Sequence, residues 1–585
     1  MLEITSKLFQ MTTTPEIPKK SFVIKDPVHG YIRIAAHERI VVDHPITQRL
    51  RRITQTGLAE FIFPEARTSR FAHSLGAMHL ASRFVINCLV NAREDNALAF
   101  FESIQTLDFF KNFQIKLSDL DSLLLTDPKA GVGGGGLLAA DSSFREVKLR
   151  TTDHKRLLAL VEAAVRLAAL FHDLGHMPFS HDFEYALLDY IGKKKRANLL
   201  TLSGLTGLFT GQPHETVGHK LAQLVFQVLV ENANLDPATR AAFAFARDIL
   251  NVEEHYDDVP RPRVTAQGWL HSLVDGQLDV DRADYLLRDG RALGLEFASY
   301  DLERLIVNLV MSYDEDLGFV TAVDERGFSA LESYCLSRSR SNQVLVRHHK
   351  SAQLAAALRY ASVEALDAAS AQIFLKDLAT LGESKPLSIE NAEALLKRFA
   401  TYDDPWWTGV LRSIDKENSD ELLSLSLGLV LRRQRTFHSL WKRKGDLSDK
   451  LLADLNKQAA LAKSEPERFE TSRREIQDKQ KTLLVLHTFK PYSVKAGGGL
   501  QDSILLVKTR NGLRPASALS PLIRSLDSAW QEDIHLHAFA PMNSALSAED
   551  LLKALSGKAQ ETASKKKKKK KKKAKKNKKA SKSRN

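Results

Sequence analysis

The sequence predicts a mostly α-helical protein with a small α+β region near its C-terminal end and a disordered polylysine tail. Three observations support this prediction. Apolar residues recur with helical spacing through most of residues 36–480, runs typical of β-strands cluster after residue 481, and residues 562–585 contain fourteen lysines, one arginine and no acid. With 43% hydrophobic and 26% charged residues, the 585-residue chain has an ordinary globular composition and can bury a large core.

Elements follow one another in a readable order. The extended opening Ser21–Ile34 is interrupted by turn residues and predicts a short hairpin or a pair of loops. Helical spacing follows over residues 36–56 and 70–91, and a second hairpin is expected near Leu317–Val323. Three further runs predict the strands of the C-terminal region: Thr482–Phe489, Ser503–Thr509 and Ile534–Phe539.

Shifts in composition divide the chain into parts. We expect a leader at 1–19, a main helical domain at 20–375, a charged helical region at 376–480, a small α+β region at 481–560 and the tail at 561–585. Residues of about 92–155 differ in character from their flanks and predict an insertion within the main domain. Its glycine run, 131–136, precedes no Gly-Lys-Ser/Thr, so a linker is a better interpretation than a phosphate-binding loop.

The lysine-rich tail accounts for the basic character of the chain. The formal net charge is +13 and the tail alone contributes +15, so the rest of the chain is close to neutral. Like charges at that density cannot pack, which predicts disorder. We interpret the tail as a solubility appendage that also binds nucleic acid weakly and non-specifically, with an affinity that falls as salt rises.

Cysteine usage and hydropathy indicate the compartment. Two cysteines, Cys88 and Cys335, cannot build a disulfide framework or a cysteine-rich zinc site, so we expect a cytoplasmic protein whose metal ligands would be His and carboxylates. No apolar run approaches the roughly 20 residues of a membrane-spanning helix, and the first 20 residues lack the apolar stretch of a secretory signal. The chain is therefore expected to be soluble, without a membrane partner.

The segment 164–184, AVRLAALFHDLGHMPFSHDFE, contains the densest set of chemically active residues. His172 continues the apolar face set by Val165 and Ala168, so its ring should point toward the core, with Asp173 beside it. Taken alone, such a pair is more often a helix-terminal histidine satisfied by a neighbouring carboxylate than a functional site.

Two other helical segments supply matching groups. His73 lies on the same kind of apolar stripe, and Asp281, Tyr285 and Asp289 share one helical face. His73, His172, Asp173 and Asp281 together form a mixed nitrogen and oxygen set, which suits Mn, Fe, Zn, Co or Ni in an octahedral site with open positions. Such an ion lowers the pKa of a bound water and neutralises phosphoryl oxygens, so the pattern favours phosphoester hydrolysis.

The motifs around these residues resemble a known family. RFAHSLG, HDLGHMPFSH, PHETVGHK and DVDRADYLLRD, together with the opening DPVHGYI and DHPITQRLRRITQTG, resemble the HD-domain superfamily of phosphohydrolases. They are most similar to its deoxynucleoside triphosphate triphosphohydrolase (dNTPase) branch, which includes vertebrate enzymes that pair an HD domain with a SAM domain. The resemblance covers roughly residues 20–360, excluding the insertion, and identifies 20–375 as an HD phosphohydrolase domain.

This resemblance implies an activity and roles for particular residues. Water would attack the α-phosphorus of a deoxynucleoside triphosphate, and the whole triphosphate would leave the nucleoside. The metal ligands would be His73, His172, Asp173 and Asp281, and the catalytic histidines would be His176, His181 and His214. Of these, His181 is the candidate that protonates the departing 5′-oxygen.

Substrate and regulatory residues are implied in the same way. Arg70 would contact the phosphates, which Mg²⁺ could accompany; Gln55 and Asp289 would hold the sugar 3′-hydroxyl; and Tyr285 would pack against the sugar and exclude a 2′-hydroxyl. The family also implies a homo-oligomer. Residues that match a guanine-reading regulatory nucleotide site between subunits are Asp43, Gln48 and Arg51.

Some features leave other readings open. Arg347 and His348 stand where the family presents an aromatic residue next to the substrate, so the preferred nucleotide stays open. One alternative is an HD phosphohydrolase acting on a monophosphate, a cyclic nucleotide or an alarmone, and another is a nucleic-acid-binding scaffold with a vestigial site. Asp279 and Asp284 are interpreted as helix-capping or charge-pairing residues.

Overall fold

The computed structural model describes most of the chain. The described ranges are 21–112, 114–124, 151–196, 204–208, 213–232, 235–251, 264–346, 348–383, 385–415, 420–487, 505–532 and 535–555. They form two compact units, the first built from the described parts of 1–342, 366–410 and 490–529, and the second from those of 343–365, 411–489 and 530–585. The glycine run 131–136, Arg347 and the lysine tail lie outside the described residues.

The first unit opens with the hairpin expected from the sequence. Strands β1 (Phe22–Asp26) and β2 (Gly30–Ile34) pair antiparallel in the register Phe22↔Ile34. The carboxylate of Asp26 closes the turn, because its Oδ1 accepts hydrogen bonds from the backbone N–H groups of Val28 and His29 at 2.8 and 2.9 Å. Gly30 follows with a φ of +76°, a conformation that glycine adopts without a steric penalty.

Helices dominate the rest of the first unit, which confirms the predicted mostly α fold. Five of them carry the site described below and are numbered here: α1 (Arg70–Val90), α2 (Thr152–Phe171), α3 (His181–Arg196), α4 (Pro213–Asn232) and α5 (Val280–Ala292). The others that lie wholly in the first unit are Ala36–Val42, Pro45–Gln48, Glu94–Gln105, Asp108–Asn112, Asp121–Leu124, Gly204–Leu208, Pro237–Leu250, Ala266–Val274, Leu302–Val307, Phe328–Ser341, Ala369–Leu381, Ile389–Phe399 and Ala516–Leu519. The helices Asp404–Asp415 and Pro521–Glu532 begin in the first unit, and their last residues are assigned to the second.

Local sequence explains where the main helices begin and break. Ser69 and Thr151 accept hydrogen bonds from backbone N–H groups in the first turns of α1 and α2, so each helix starts at a capping hydroxyl. The helical stretch expected over 36–56 is divided, because Pro45 starts a new helix after Val42. Every residue of α2 from 157 to 171 is buried, which places this helix at the centre of the unit.

The C-terminal strands belong to two different sheets, one in each unit. In the first unit, β3 (Leu309–Asp314) and β4 (Gly318–Asp324) form a hairpin that begins earlier than the expected Leu317–Val323. Strand β4 also pairs in parallel with β7 (Leu506–Thr509), which pairs with β8 (Gly512–Pro515). Because Ala322 pairs with Leu506 across more than 180 positions, no local sequence pattern could reveal this arrangement.

The second unit has its own sheet and apolar core. Its sheet has the order β5 (Phe437–Ser439), β9 (His535–Pro541) and β6 (Leu483–His487), with both pairings antiparallel. The helices of this unit are His349–Ala365, Glu421–Arg432, Asp449–Ser464 and Pro466–Gln480. Trp441, Phe469 and Leu536 are among the buried residues between them. In neither unit does the described chain contain a helix long and apolar enough to cross a membrane.

Candidate metal centre and active site

Three helix segments of the first unit bring His73, His172, Asp173 and Asp281 together. His73 lies in the first turns of α1, His172 caps the C-terminal end of α2, and Asp281 lies in the first turn of α5. The Nε2 atom of His73 is 3.0 Å from Oδ1 of Asp281 and 3.5 Å from Oδ2 of Asp173. The Nε2 atom of His172 is 3.3 Å from Oδ1 of Asp173 and 3.6 Å from Oδ1 of Asp281.

This spacing fits a metal ion. Bonds of about 2.0–2.2 Å at right angles separate neighbouring ligand atoms by about 3 Å, close to the shorter distances in the group. Within the described ranges, neither Nε2 atom has a hydrogen-bond partner although both are buried. Uncompensated buried imidazole nitrogens are costly, and a cation between them and the two carboxylates would remove that cost. The residues present therefore fit a divalent transition metal.

The charges of the group point in the same direction. Burial lowers the pKa of His73, but the carboxylates of Asp281, Asp284 and Asp173 beside the ring outweigh it and raise the pKa to about 10. Burial raises the pKa of Asp173, yet Arg70 and the imidazoles of His172 and His176 hold it below the usual range. Burial also raises the pKa of Asp281, and the imidazoles of His172 and His73 hold it below the usual range. A cation bound here would balance the two carboxylates, and ligation would require neutral imidazoles.

Asp284 orients His73 and was not identified as a site residue from the sequence. Its Oδ2 accepts a hydrogen bond from Nδ1 of His73 at 2.7 Å, which leaves Nε2 of that ring facing the carboxylates. Arg288 pairs with the same carboxylate at 2.8 and 2.9 Å, and Nε2 of His29 lies 2.6 Å from its Oδ1. The expected charge pairing of Asp284 is thus confirmed, and Asp279 caps α5 as expected. A Cβ at Gly76 would collide with the Asp284 carboxylate. The glycine of RFAHSLG could therefore have indicated that another side chain approaches this helix closely.

Further hydrogen bonds position His172 and Asp173. Nδ1 of His172 donates to the carbonyl oxygen of Ala169 at 2.6 Å, so its Nε2 is the atom available for a metal. Arg70, expected to contact phosphates, is buried, and its Nη1 donates to Oδ2 of Asp173 at 2.8 Å. Its Nε donates to Oγ of Ser180 at 3.0 Å. In this arrangement Arg70 holds the Asp173 carboxylate of the candidate metal group in place.

A second cluster joins the three expected catalytic histidines around Glu184, which sequence reasoning had not singled out. The Nδ1 atoms of His214, His176 and His181 lie 3.0, 3.2 and 3.4 Å from oxygens of the Glu184 carboxylate. The rings of His176 and His214 stack at 4.3 Å between centroids, and the ring of His181 meets both edge-on at 4.9 Å. Glu184 lies three residues after His181 on α3, so the two side chains share one helical face. This spacing could have identified Glu184 as a partner of His181.

Backbone geometry positions this histidine cluster. Phe179 and Ser180 adopt left-handed conformations, with φ of +56° and +57°, and the turn they form delivers His181 to the start of α3. Gly175 lies so close to Gly218 and to the carbonyl oxygen of His214 that a Cβ would not fit there. This close approach holds α4 against the turn after His172, which brings His214 beside His176.

The histidines of the cluster differ in their proton affinity. Burial and the charge of Arg70 lower the pKa of His176 to about 4, so this ring is neutral at physiological pH. Burial opposes charge on His214, but the Glu184 carboxylate outweighs it and raises the pKa of His214. Although burial raises the pKa of Glu184, the imidazoles of His214 and His181 lower it well below its usual range. The cluster thus combines a neutral His176 with a Glu184 carboxylate that favours the protonated form of His214.

The residues expected to hold the sugar lie on neighbouring segments. Oγ1 of Thr68 donates to Oδ1 of Asp289 at 3.0 Å, and the backbone N–H of Gln55 donates to the carbonyl oxygen of Thr68 at 2.9 Å. Among the described groups, none forms a hydrogen bond with Oε1 of Gln55, although this atom is buried. Burial and the charge of Asp284 raise the pKa of Asp289 to about 6. The ring of Tyr285 lies 6.5 Å from that of His73.

The residues expected to read a regulatory nucleotide are only partly grouped. Nε of Arg51 donates to Oε1 of Gln48 at 2.7 Å, and the Arg51 guanidinium lies 3.7 Å from the centre of the Phe71 ring. Asp43 is exposed and accepts instead from Nε of Arg39 at 3.0 Å. The structure therefore brings Gln48 and Arg51 together and leaves Asp43 in a separate ion pair.

Comparisons with known proteins agree with this geometry. The HD domain family model matches residues 149–289, which contain three of the four metal-facing residues. The chain is 25% identical over 291 residues to the deoxynucleoside triphosphate triphosphohydrolase SAMHD1 homolog of Dictyostelium discoideum, covering 49% of this chain and 39% of that protein. It is 27% identical over 313 residues to the deoxynucleoside triphosphate triphosphohydrolase SAMHD1 of Gallus gallus, covering 52% of this chain and 39% of that protein.

A solved structure extends the similarity of fold beyond this segment. The structure of a phosphohydrolase of Bacteroides thetaiotaomicron superposes with a TM-score of 0.50 at 19% identity, covering 90% of this chain and all of that one. At this identity, the likeness concerns the fold alone. The matched segments span well under half the length of the two curated relatives.

Proposed function

We propose that this chain, a member of the HD-domain superfamily of phosphohydrolases, is a metal-dependent hydrolase of deoxynucleoside triphosphates that releases deoxynucleoside and triphosphate. The observation that supports the metal dependence most strongly is the pair of buried Nε2 atoms of His73 and His172, which face Asp173 and Asp281 without a hydrogen-bond partner in the described part of the chain. The substrate class is supported by the similarity to the two named triphosphohydrolases.

Each part of the site has a task in this reaction. A divalent transition metal held by the four residues would lower the pKa of a water and neutralise charge on the α-phosphate. Arg70 keeps the Asp173 carboxylate directed at the metal position through its 2.8 Å hydrogen bond. Asp284 keeps His73 in the tautomer whose Nε2 is free to ligate. These positioning contacts fix the site before substrate binds, which saves reorganisation during the reaction.

The histidine cluster supplies the proton that the leaving group needs. When water adds to the α-phosphorus, the bond to the 5′-oxygen of the sugar breaks, and that oxygen leaves as an alkoxide unless it is protonated. His181 is half exposed at the start of α3 and is the donor we propose. The Glu184 carboxylate contacts His181 and His214 together, so it holds the proposed donor beside His214, whose pKa the same carboxylate raises.

Sugar selection is assigned to the segment around Thr68. The unpartnered Oε1 of Gln55 and the carboxyl of Asp289 are available to a sugar 3′-hydroxyl, and the Tyr285 ring would pack against the sugar and leave no room for a 2′-hydroxyl.

We further propose a cytoplasmic homo-oligomer whose lysine-rich tail binds nucleic acid weakly, and a nucleotide contact at Gln48 and Arg51 that regulates it.

Product analysis tests the proposed reaction. Purified full-length chain loaded with Mn²⁺ is incubated separately with each dNTP and each NTP, and products are separated by chromatography. Intact inorganic triphosphate and deoxynucleoside are the expected products, with NTPs turned over at least about 100-fold more slowly. Release of monophosphate, pyrophosphate or orthophosphate would indicate an HD phosphohydrolase of another substrate class. Absence of turnover with any nucleotide, despite bound metal, would favour the scaffold interpretation.

A further inference from the structure

The cluster of His176, His181, His214 and Glu184 has a feature that proton donation does not require. Each of the four residues offers a ligand atom, and these atoms all lie within 4.8 Å of one another. Four-coordinate sites with bonds of about 2.0–2.1 Å separate their ligand atoms by about 3.3 Å. The Glu184 oxygens lie 3.0 to 3.4 Å from the three Nδ1 atoms, which matches that spacing.

Two of the four residues contain buried atoms that lack hydrogen bonds. Nδ1 of His176 and Oε1 of Glu184 are 3.2 Å apart, yet neither has a hydrogen-bond partner among the described groups. The two residues are only 1% and 4% exposed, so water does not readily compensate them. Both atoms face into the cluster. A cation at its centre would therefore satisfy two buried atoms that the protein leaves without hydrogen bonds.

His176 lies between two carboxylates. Its Nε2 lies 3.1 Å from Oδ1 of Asp173, and its Nδ1 lies 3.2 Å from Oε1 of Glu184. A cation on the Glu184 side of the ring would be within reach of both Nδ1 of His176 and Oε1 of Glu184, the two buried atoms that lack hydrogen bonds.

From this geometry we propose a second cation site, formed by His176, His181, His214 and Glu184, that takes a divalent transition metal and inhibits the enzyme when it is filled. Three imidazoles and one carboxylate suit Zn²⁺, Co²⁺ or Ni²⁺ better than Mg²⁺ or Ca²⁺, which prefer all-oxygen sites. The side chain of His181 is 52% exposed, which gives an ion a route into the cluster.

Inhibition follows because the ion takes the place of a proton on these rings. An imidazolium gives up a proton near neutral pH, whereas an imidazole that ligates an ion through Nδ1 keeps its remaining proton on Nε2 and releases it much less readily, so a filled site is a poor general acid. This part of the proposal rests on the proposed function, whereas binding of the second ion does not. One experiment can therefore refute the inhibitory effect without refuting binding of the second ion, and the reverse.

Cobalt titration of the full-length protein tests the site. After metal removal, Co²⁺ is added in steps and bound cobalt is counted by equilibrium dialysis and elemental analysis. We expect two ions per chain in the wild type and one in Glu184→Gln and His214→Ala. His219→Ala is the matched control, because this histidine lies on α4 with His214 but outside the cluster, and it should still bind two ions. One ion in the wild type, or two in both cluster variants, would overturn the site.

Measurements on the wild type make the test independent of whether the variants fold. Diethyl pyrocarbonate modification of His181, mapped by mass spectrometry, should fall when the second Co²⁺ equivalent is added and not when the first is added. Hydrolysis of a dNTP should fall by roughly 100-fold over the same addition. Unchanged His181 modification would contradict the site, and two bound ions with undiminished turnover would contradict the inhibitory role. If the chain binds two ions but hydrolyses no nucleotide, the second cation site is supported and the proposed function is refuted.

Discussion

Nδ1 of His73 and Oδ2 of Asp284 lie 2.7 Å apart, and this single hydrogen bond decides which nitrogen of the ring is available to a metal. Asp284 is itself held by Arg288 and His29, so the ligand is fixed by a network that reaches from α5 to the opening hairpin. Removing such an outer contact leaves the ligands in place but lets the ring rotate, which lowers metal affinity.

Asp284→Asn should therefore weaken binding of the first metal ion by about 10-fold to 100-fold. The amide can no longer neutralise Arg288 or keep the His73 proton on Nδ1. Competition with a chromophoric chelator measures the affinity. Asp301→Asn serves as the control, because Asp301 caps the helix Leu302–Val307 and does not contact the site. An affinity equal to that of the wild type would refute a role for Asp284 in orienting His73.

Asp281→Asn should abolish the stabilisation that a metal ion gives to the protein. Metal that binds only the folded state raises the free energy of unfolding by about 2.7 kcal/mol at one hundred times its Kd. Asp281 has 29% of its side chain exposed and lies in the first turn of α5, so the substitution should leave the fold intact. Thermal unfolding with and without Mn²⁺ measures the effect. A variant that Mn²⁺ stabilises as much as the wild type would remove Asp281 from the ligand set.

Asp404 should act as a positioning residue for the active site. Its Oδ2 accepts from the N–H and hydroxyl of Thr54 at 2.9 and 2.8 Å, and its Oδ1 accepts from the N–H of Phe179 at 2.7 Å. It thus joins the segment of Gln55 to the turn before His181. Asp404→Asn should lower kcat by roughly 10-fold to 100-fold through misplacement of these groups, with metal content unchanged.

The neighbouring Asp403 provides the matched control for that prediction. It is buried to a similar degree but pairs with Arg52 instead of Thr54 and Phe179. Steady-state kinetics and metal analysis of both Asp→Asn variants separate the two roles. Equal losses of kcat in the two variants would indicate a general loss of stability instead of positioning.

Stability should depend on pH through Glu162. Burial raises the pKa of this carboxyl to about 7, even though Arg166 and a 2.6 Å hydrogen bond from Ser82 favour the charged form. Since the pKa is higher in the folded state than in the unfolded state, the folded state binds more protons between about pH 4.5 and 7. The wild type therefore loses stability as pH rises through that window.

Glu162→Gln should remove this loss, because an amide does not titrate. Relative to the wild type, the variant should gain on the order of 3 kcal/mol in the free energy of unfolding between pH 5 and pH 8. Urea denaturation at the two pH values measures it. A difference between variant and wild type that stays constant with pH would show that Glu162 titrates normally.

Removal of residues 562–585 should leave hydrolysis intact and weaken binding to polyanions. The tail contributes +15 and the rest of the chain is close to neutral, and binding through lysines to phosphates falls steeply as salt rises. Fluorescence anisotropy with a labelled DNA duplex at 50 and 200 mM salt measures the binding. Loss of dNTP turnover in the truncated protein would contradict this separation of roles.

Much of the site could be predicted from the sequence because its residues lie within regular helices. The spacing of His73 and His172 within apolar stripes was enough to direct both rings inward, and four-residue spacing grouped Asp281 with Asp289. Glu184 and Asp284 were missed as site residues. Glu184 has a partner on its own helix in His181, but its contacts with His176 and His214 come from other segments. Asp284 likewise meets His73 on another helix. Within one helix, a carboxylate one turn from a histidine is a common surface pair. Only the position of the neighbouring helix shows that it belongs to a site.

What the sequence by itself determined is therefore local: the helical class, the opening hairpin, and which histidines and acids face the core. Tertiary structure alone decided that α1, α2 and α5 meet at one point, that β7 joins β4 in the first unit, and that Glu184 faces three histidines. The physical reason is that periodicity fixes the direction of a side chain relative to its own helix. The distance between helices depends on how their surfaces pack, as where Gly175 meets Gly218, and on contacts hundreds of positions apart.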